Sequence, residues 1–136
     1  MGKLILMVGL PRAGKTTAAR ALGHPIVSPD AIRLALHGRR YVQLEEPRVW
    51  QTARLMVRSL FLAGHTTVIL DSTNGTRQRR EAWRSDEWER AFHVVDTDVE
   101  ICRQRALASD DRALIDVIDR MAREWEPPID DELAPH

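Results

Sequence analysis

At 136 residues the chain has room for one compact domain and too little for two with separate cores. Its 43% hydrophobic and 29% charged residues exclude a disordered, collagenous or disulfide-built chain, and the formal net charge of zero gives no global signature of a nucleic-acid binder. Cys102 is the single cysteine, which excludes an internal disulfide and fits a cytoplasmic protein, and the apolar run over 4–10 falls far short of the roughly 20 residues of a membrane span.

Residues 3–8 form an apolar, partly β-branched run that enters a glycine loop directly, the pattern of a buried parallel strand. A helix is predicted over 13–22, closed by Gly23, and then a short strand over 25–27. Ser28-Pro29-Asp30 is a helix start, with a capping serine, proline in the first turn and an acid at the positive end of the dipole, so a helix follows to about His37. Residues 39–46 are polar and read as loop. Val49, Ala53, Met56, Val57, Leu60 and Phe61 then recur at helical spacing up to Gly64. Residues 66–70 read as a strand ending at Asp71, residues 78–90 as a polar helix carrying Trp83 and Trp88, and residues 92–95 as a further strand. Helices over 98–108 and 113–125 follow, the last stopped by Pro127-Pro128, with a frayed tail beyond. Strands alternating with helices imply a parallel sheet with helices on both faces and ligands at the carboxyl ends of its strands.

Gly9-Leu10-Pro11-Arg12-Ala13-Gly14-Lys15-Thr16 fits the phosphate loop G-x-x-x-x-G-K-[ST] and lies between a strand and a helix, where that motif works. Its glycines let the backbone curl around phosphate, and the following helix adds a positive end. Lys15 is expected on the β- and γ-phosphates, the Thr16 hydroxyl on magnesium, and Arg12, Ala13, Gly14 and Thr17 along the nucleotide phosphates, with Thr17 either touching the α-phosphate or packing. Asp30 and Arg33 share a helix face just past the second strand. They suit a base toward an acceptor hydroxyl and a cation toward transferred charge, or else a helix-dipole partner and a surface ion pair. Asp71-Ser72-Thr73-Asn74 ends the third strand at the same edge, where a carboxylate can hold a magnesium-bound water. The arginine-rich run over 77–80 follows it, and a turn with a solvated charged face is the plainer reading of that segment.

Taken together, the loop over 9–16, Ser28-Pro29-Asp30 with Arg33, and Val68-Ile69-Leu70-Asp71-Ser72-Thr73-Asn74 with Arg80 and Trp83 resemble the phage-type polynucleotide 5'-hydroxyl kinases of the P-loop kinase superfamily. The resemblance implies an α/β fold with a four-stranded parallel sheet, Lys15 and Thr16 on ATP and magnesium, Asp30 as general base toward a 5'-hydroxyl of DNA or RNA, and Arg33 on the acceptor's phosphate. It places Asp71 near the metal or near Asp30, and Arg105 at the start of an arginine-bearing lid over the donor phosphates. The chain departs from the pattern where the second lid arginine falls at Ser109 and the usual asparagine is Ala106, so that role passes to Arg112 or the lid is weaker. The chain also ends soon after its last helix, which suggests a stand-alone kinase module without attached phosphatase or ligase domains. Two alternatives keep the loop and change the output: a kinase for a small-molecule or modified-base hydroxyl, and a nucleotide-binding switch. Base preference and oligomeric state are not encoded in these motifs.

Overall fold

The computed structural model describes residues 1–133. Its elements run β1 (Gly2–Val8), α1 (Lys15–Leu22), β2 (Ile26–Val27), α2 (Pro29–His37), α3 (Glu46–Leu62), β3 (Thr67–Leu70), α4 (Arg77–Glu81), β4 (Trp88–Val94), α5 (Val99–Ala108) and α6 (Arg112–Arg123), with 3-10 turns at Gln43–Glu45 and Asp130–Leu133. The four strands pair in the order β2-β3-β1-β4, and every pairing is parallel.

Because side chains alternate along a strand, β1 supplies both faces of the sheet at once. Leu4 and Leu6, with Val68 and Leu70 of β3, pack against Ile32 of α2 and Val49, Ala53 and Val57 of α3. Met7 and Ile69, with Ile5 beside them, face the other way onto Ala18, Ala19 and Leu22 of α1. Leu4, Leu6, Met7 and Val8 are fully buried. Each such side chain contributes about 1.5–3 kcal/mol, which is why a continuous apolar run can occupy the centre of the sheet. A third cluster lies beyond the carboxyl edge, where Leu10 and Ala13 meet Cys102 and Ala106 of α5 and Ile118 of α6.

Local chemistry sets the boundaries closest to the site. Helix α2 starts where the Ser28 Oγ accepts from the Ala31 N–H at 3.1 Å, and ends at Gly38, whose φ of 71° only glycine adopts cheaply. Helix α1 starts at Lys15 rather than at residue 13, because Gly14 is left-handed with φ 101°.

Two expectations are corrected. The helix placed over 78–90 stops at Glu81, and Trp88 opens β4 instead of sitting on that helix. A helix would set Trp83 and Trp88 roughly 140° apart around its axis. Both are buried in one cluster, and the Trp88 indole N–H donates to the Trp83 carbonyl at 2.8 Å across a turn where the Ser85 Oγ accepts from the Glu87 N–H. The tail is also not frayed over its described part. Residues 130–133 form a 3-10 turn whose Glu132 is fully buried; residues 134–136 lie outside the described residues.

Candidate active site

The loop between β1 and α1 is curled by two left-handed residues, Arg12 with φ 67° and Gly14 with φ 101°. It is fastened from several sides. The Gly9 N–H donates to the Thr73 carbonyl at 3.0 Å, the Thr97 hydroxyl to the Ala13 carbonyl at 2.7 Å, and the Arg105 Nη1 to the Arg12 carbonyl at 2.9 Å. A Cβ at Gly9 would stand 3.0 Å from the Val95 carbonyl oxygen and 3.1 Å from the Lys15 Cγ, so glycine is required there by close approach. Arg12 also pairs with Asp111 at 3.7 Å, and Asp111 accepts from Arg40. Arg40, followed by burial working in the opposite sense, holds the Asp111 carboxyl below its ordinary range.

Lys15 is half-buried against this loop and donates from Nζ to the Leu10 carbonyl at 2.8 Å. Burial pushes its ammonium below the ordinary value, while Asp71, then Asp30, pull it back. Both carboxylates therefore act on the same ammonium. The Thr16 hydroxyl donates to the Asp71 Oδ2 at 2.8 Å, joining the first turn of α1 to the end of β3. A hydroxyl and a carboxylate in contact suit magnesium, which takes one or two protein oxygens and completes its octahedron with phosphate oxygens and water. No cluster of three or more His, Cys, Asp or Glu suited to a metal occurs among the described residues.

Asp30 stands at the mouth, its side chain 82% exposed, and accepts from the Arg33 Nη1 at 2.6 Å. The Arg33 guanidinium is gripped from its other side by Glu46, at 3.0 Å from Nε and 2.7 Å from Nη2, and lies 5.8 Å from the Trp50 ring centre. Burial opposes its charge, but Glu46 and then Asp30 outweigh that, so it stays firmly cationic. Glu46 is a site residue the sequence reading left in a loop. Its signal was Glu46-Pro47, an acid and a proline in the first turn of α3.

Arg105 reaches the loop, whereas Arg112 does not: its side chain is 83% exposed and nearest to Asp110 at 3.9 Å. Asn74, left-handed with φ 46° and buried, donates from Nδ2 to the Met7 carbonyl at 2.7 Å and so ties the residues after Asp71 to β1. Arg80 in turn donates to the Asn74 carbonyl at 2.9 Å and pairs with Glu132. The expected solvated face at 77–80 thus contains a fully buried arginine.

A family model described as AAA domain matches residues 4–128. The chain belongs to this AAA domain family. Membership implies a nucleoside triphosphate at the loop. Among solved structures, this AAA domain is similar to a chain of the Pnkp1/Rnl/Hen1 complex, at 28% identity and a TM-score of 0.68, over 76% of this chain and 38% of that one. It is similar to a chain of the Pnkp1/Rnl/Hen1 RNA repair complex at 19% identity and a TM-score of 0.65, over 92% of this chain and 46% of that one. It is also similar to a gluconokinase from Sinorhizobium meliloti 1021 at 18% identity and a TM-score of 0.61, over 96% and 78%. The chain spans less than half the length of the two repair-complex chains. No curated protein matches it in sequence. The P-loop kinase resemblance read from the motifs is borne out, as is the four-stranded parallel sheet. No helix among the described residues is long and apolar enough to cross a membrane.

Proposed function

We propose that this AAA domain transfers the γ-phosphate of ATP, with magnesium, to a 5'-hydroxyl at the end of a DNA or RNA strand. The observation that carries the reading is that two carboxylates with different surroundings follow the two strands beside the phosphate loop. Asp71 is in contact with the Thr16 hydroxyl, and Asp30 is exposed and paired only with Arg33. The first suits a metal and the second a substrate proton.

In this mechanism the loop and Lys15 hold the β- and γ-phosphates, and Arg105, fixed to the Arg12 carbonyl, stands over the same loop. Thr16 and Asp71 would hold a magnesium ion, which would supply charge neutralisation for the transferred phosphoryl group. The acceptor hydroxyl attacks the γ-phosphorus in line, the bond from that phosphorus to the β–γ bridging oxygen breaks, ADP leaves, and the hydroxyl proton passes to Asp30. Arg33 is held in place by Glu46 for the acceptor's phosphate, and most of the rate gain comes from such positioning. The likeness to a chain of the Pnkp1/Rnl/Hen1 complex supports a polynucleotide acceptor, and the exposure of Asp30 leaves room for a large one.

The test is transfer of labelled γ-phosphate to a 5'-hydroxyl oligonucleotide beside the same oligonucleotide already 5'-phosphorylated. Label on the first alone, lost in Asp30→Asn while ATP binding persists, is the expected result. Label on gluconate or another small hydroxyl instead would replace the acceptor, and hydrolysis to free phosphate alone would favour a switch.

A further inference from the structure

Two cavities of about 290 and 200 Å³ open on the surface beyond the carboxyl end of β3, and one side chain, Arg79, lines both. The larger is walled by Thr73, Gly75, Tyr41, Trp125, Arg120 and Glu124. The smaller is walled by Trp50, Trp83 and Arg54. Through the shared Arg79 they make a groove lined by aromatic rings and arginines.

The groove adjoins the site at both ends. Thr73 lies two residues past Asp71, and its carbonyl accepts from the Gly9 N–H of the phosphate loop. Trp50, in the smaller cavity, lies against the Arg33 guanidinium that holds Asp30. Arg33, Arg80, Arg90 and Arg103 all have carboxylate partners, whereas the guanidiniums of Arg79 and Arg120 have neither an ion pair nor a hydrogen bond among the described residues. Arg54 lies 5.1 Å from the Trp83 ring centre and so leaves that wall both cationic and aromatic. Gly75 brings Trp125 in, since a Cβ there would meet its ring at 3.1 Å.

Unpaired guanidiniums fit phosphates, and exposed ring faces fit bases only when those bases are unstacked. We infer that this groove is the track of a single-stranded acceptor: a base lies against Trp125 and Tyr41, the next against the half-buried Trp50, and the phosphate between them sits on Arg79. The inference rests on the polynucleotide reading and adds the strand's form, its path and the residues that grip it. A duplex end keeps its bases stacked and cannot use these walls.

The experiment measures binding directly, so that the groove and the reaction stand or fall separately. Anisotropy of a labelled 5'-hydroxyl single strand of six nucleotides is followed against salt for the parent, Arg79→Glu, Trp125→Ala and, as a control of equal charge change, Arg48→Glu on α3. Arg79→Glu is expected to raise Kd at least tenfold and to flatten the salt slope by about one phosphate contact. Trp125→Ala should raise Kd about fivefold or more. Arg48→Glu should leave Kd within about twofold, and all three variants should keep the parent's ATP affinity and urea midpoint. Parent-like Kd in both groove variants, equal binding of a blunt duplex, or no binding by the parent would overturn the groove. Binding that behaves as expected with no phosphate transferred would leave the groove standing and sink the kinase reading instead.

Discussion

Arg80 and Glu132 face each other across 52 positions of sequence, at 3.0 Å from Nε to Oε1 and 3.3 Å from Nη2 to Oε2, with both side chains fully buried. The pair is satisfied beyond itself. The Ile129 N–H donates to the Glu132 Oε2 at 2.8 Å, Arg90 and Arg84 donate to the Glu132 carbonyl, and Arg80 holds the Asn74 carbonyl. Removing one member leaves a charge buried without its partner, which costs about 3–5 kcal/mol, whereas replacing both by apolar groups of similar volume is often neutral. Glu132→Ala should therefore lower the urea midpoint sharply, and Arg80→Met with Glu132→Leu should recover most of it. A Glu132→Ala midpoint equal to that of the parent would mean that the 130–133 turn is not docked in solution.

The Thr16–Asp71 contact predicts a magnesium phenotype. Asp71→Asn keeps an oxygen that accepts from the Thr16 hydroxyl but removes the charge. Transfer should fall about 10- to 100-fold and need more magnesium for half-maximal rate. Magnesium titration of the transfer rate checks it, and an unshifted midpoint would remove Asp71 from the metal.

Lys15 is expected to cost the ligand-free protein stability. Its folded-state pKa lies below the ordinary value because of burial, so the folded chain holds the proton less tightly than the unfolded chain. That penalty is fully present below the lowered pKa and fades as pH rises from there to the ordinary one. Lys15→Met removes the charge, so in calorimetry without nucleotide Tm should rise by roughly 2–4 °C, for about 1 kcal/mol relieved, while transfer is abolished. A lower Tm would show that the bond to the Leu10 carbonyl outweighs the burial of the ammonium.

Glu81 gives an acid-side prediction. Its carboxyl is held down at about 2, chiefly by the hydrogen bonds from Arg84, with Arg90, Arg84 and Arg77 adding charge against the opposing effect of burial. A depressed carboxyl contributes stability above its unfolded pKa and loses it as pH falls through the folded one. Thermal melts of the parent and Glu81→Gln should therefore differ by a constant margin near neutrality, a margin that closes between about pH 4.5 and pH 2. A margin independent of pH would disconnect Glu81 from Arg84.

What could be read from the sequence was what is encoded locally. The loop over 9–16, the Ser28 cap of α2 and the burial of β1 each depend on neighbouring residues, and each was found where its pattern placed it. Strand β4 was expected over 92–95 and starts earlier, at Trp88, because the turn that ends α4 is closed by the Trp88 indole bond to the Trp83 carbonyl, which the polar composition of 78–90 does not reveal. Glu132 and the burial of Arg80 left no local trace, and the Glu46-Pro47 helix start says nothing of the pairing with Arg33, since each depends on a partner of opposite charge from another part of the chain. In the site, the residue types were legible and the pairings were not. Nothing in the spacing of Arg105 and Arg112 says that one reaches the Arg12 carbonyl and the other points to solvent.

The pairing of β1 also bears on how the chain is made. Leu4 meets Val68 on one side and Arg90 on the other, so the strand synthesised first occupies the middle of the sheet and both its neighbours come much later. At about 5–20 residues per second, that apolar strand spends seconds outside the ribosome with neither edge covered. The nascent chain should thus be a client for holding chaperones until β4 emerges, and a ribosome stalled before residue 88 should present a protease-sensitive, aggregation-prone amino-terminal segment.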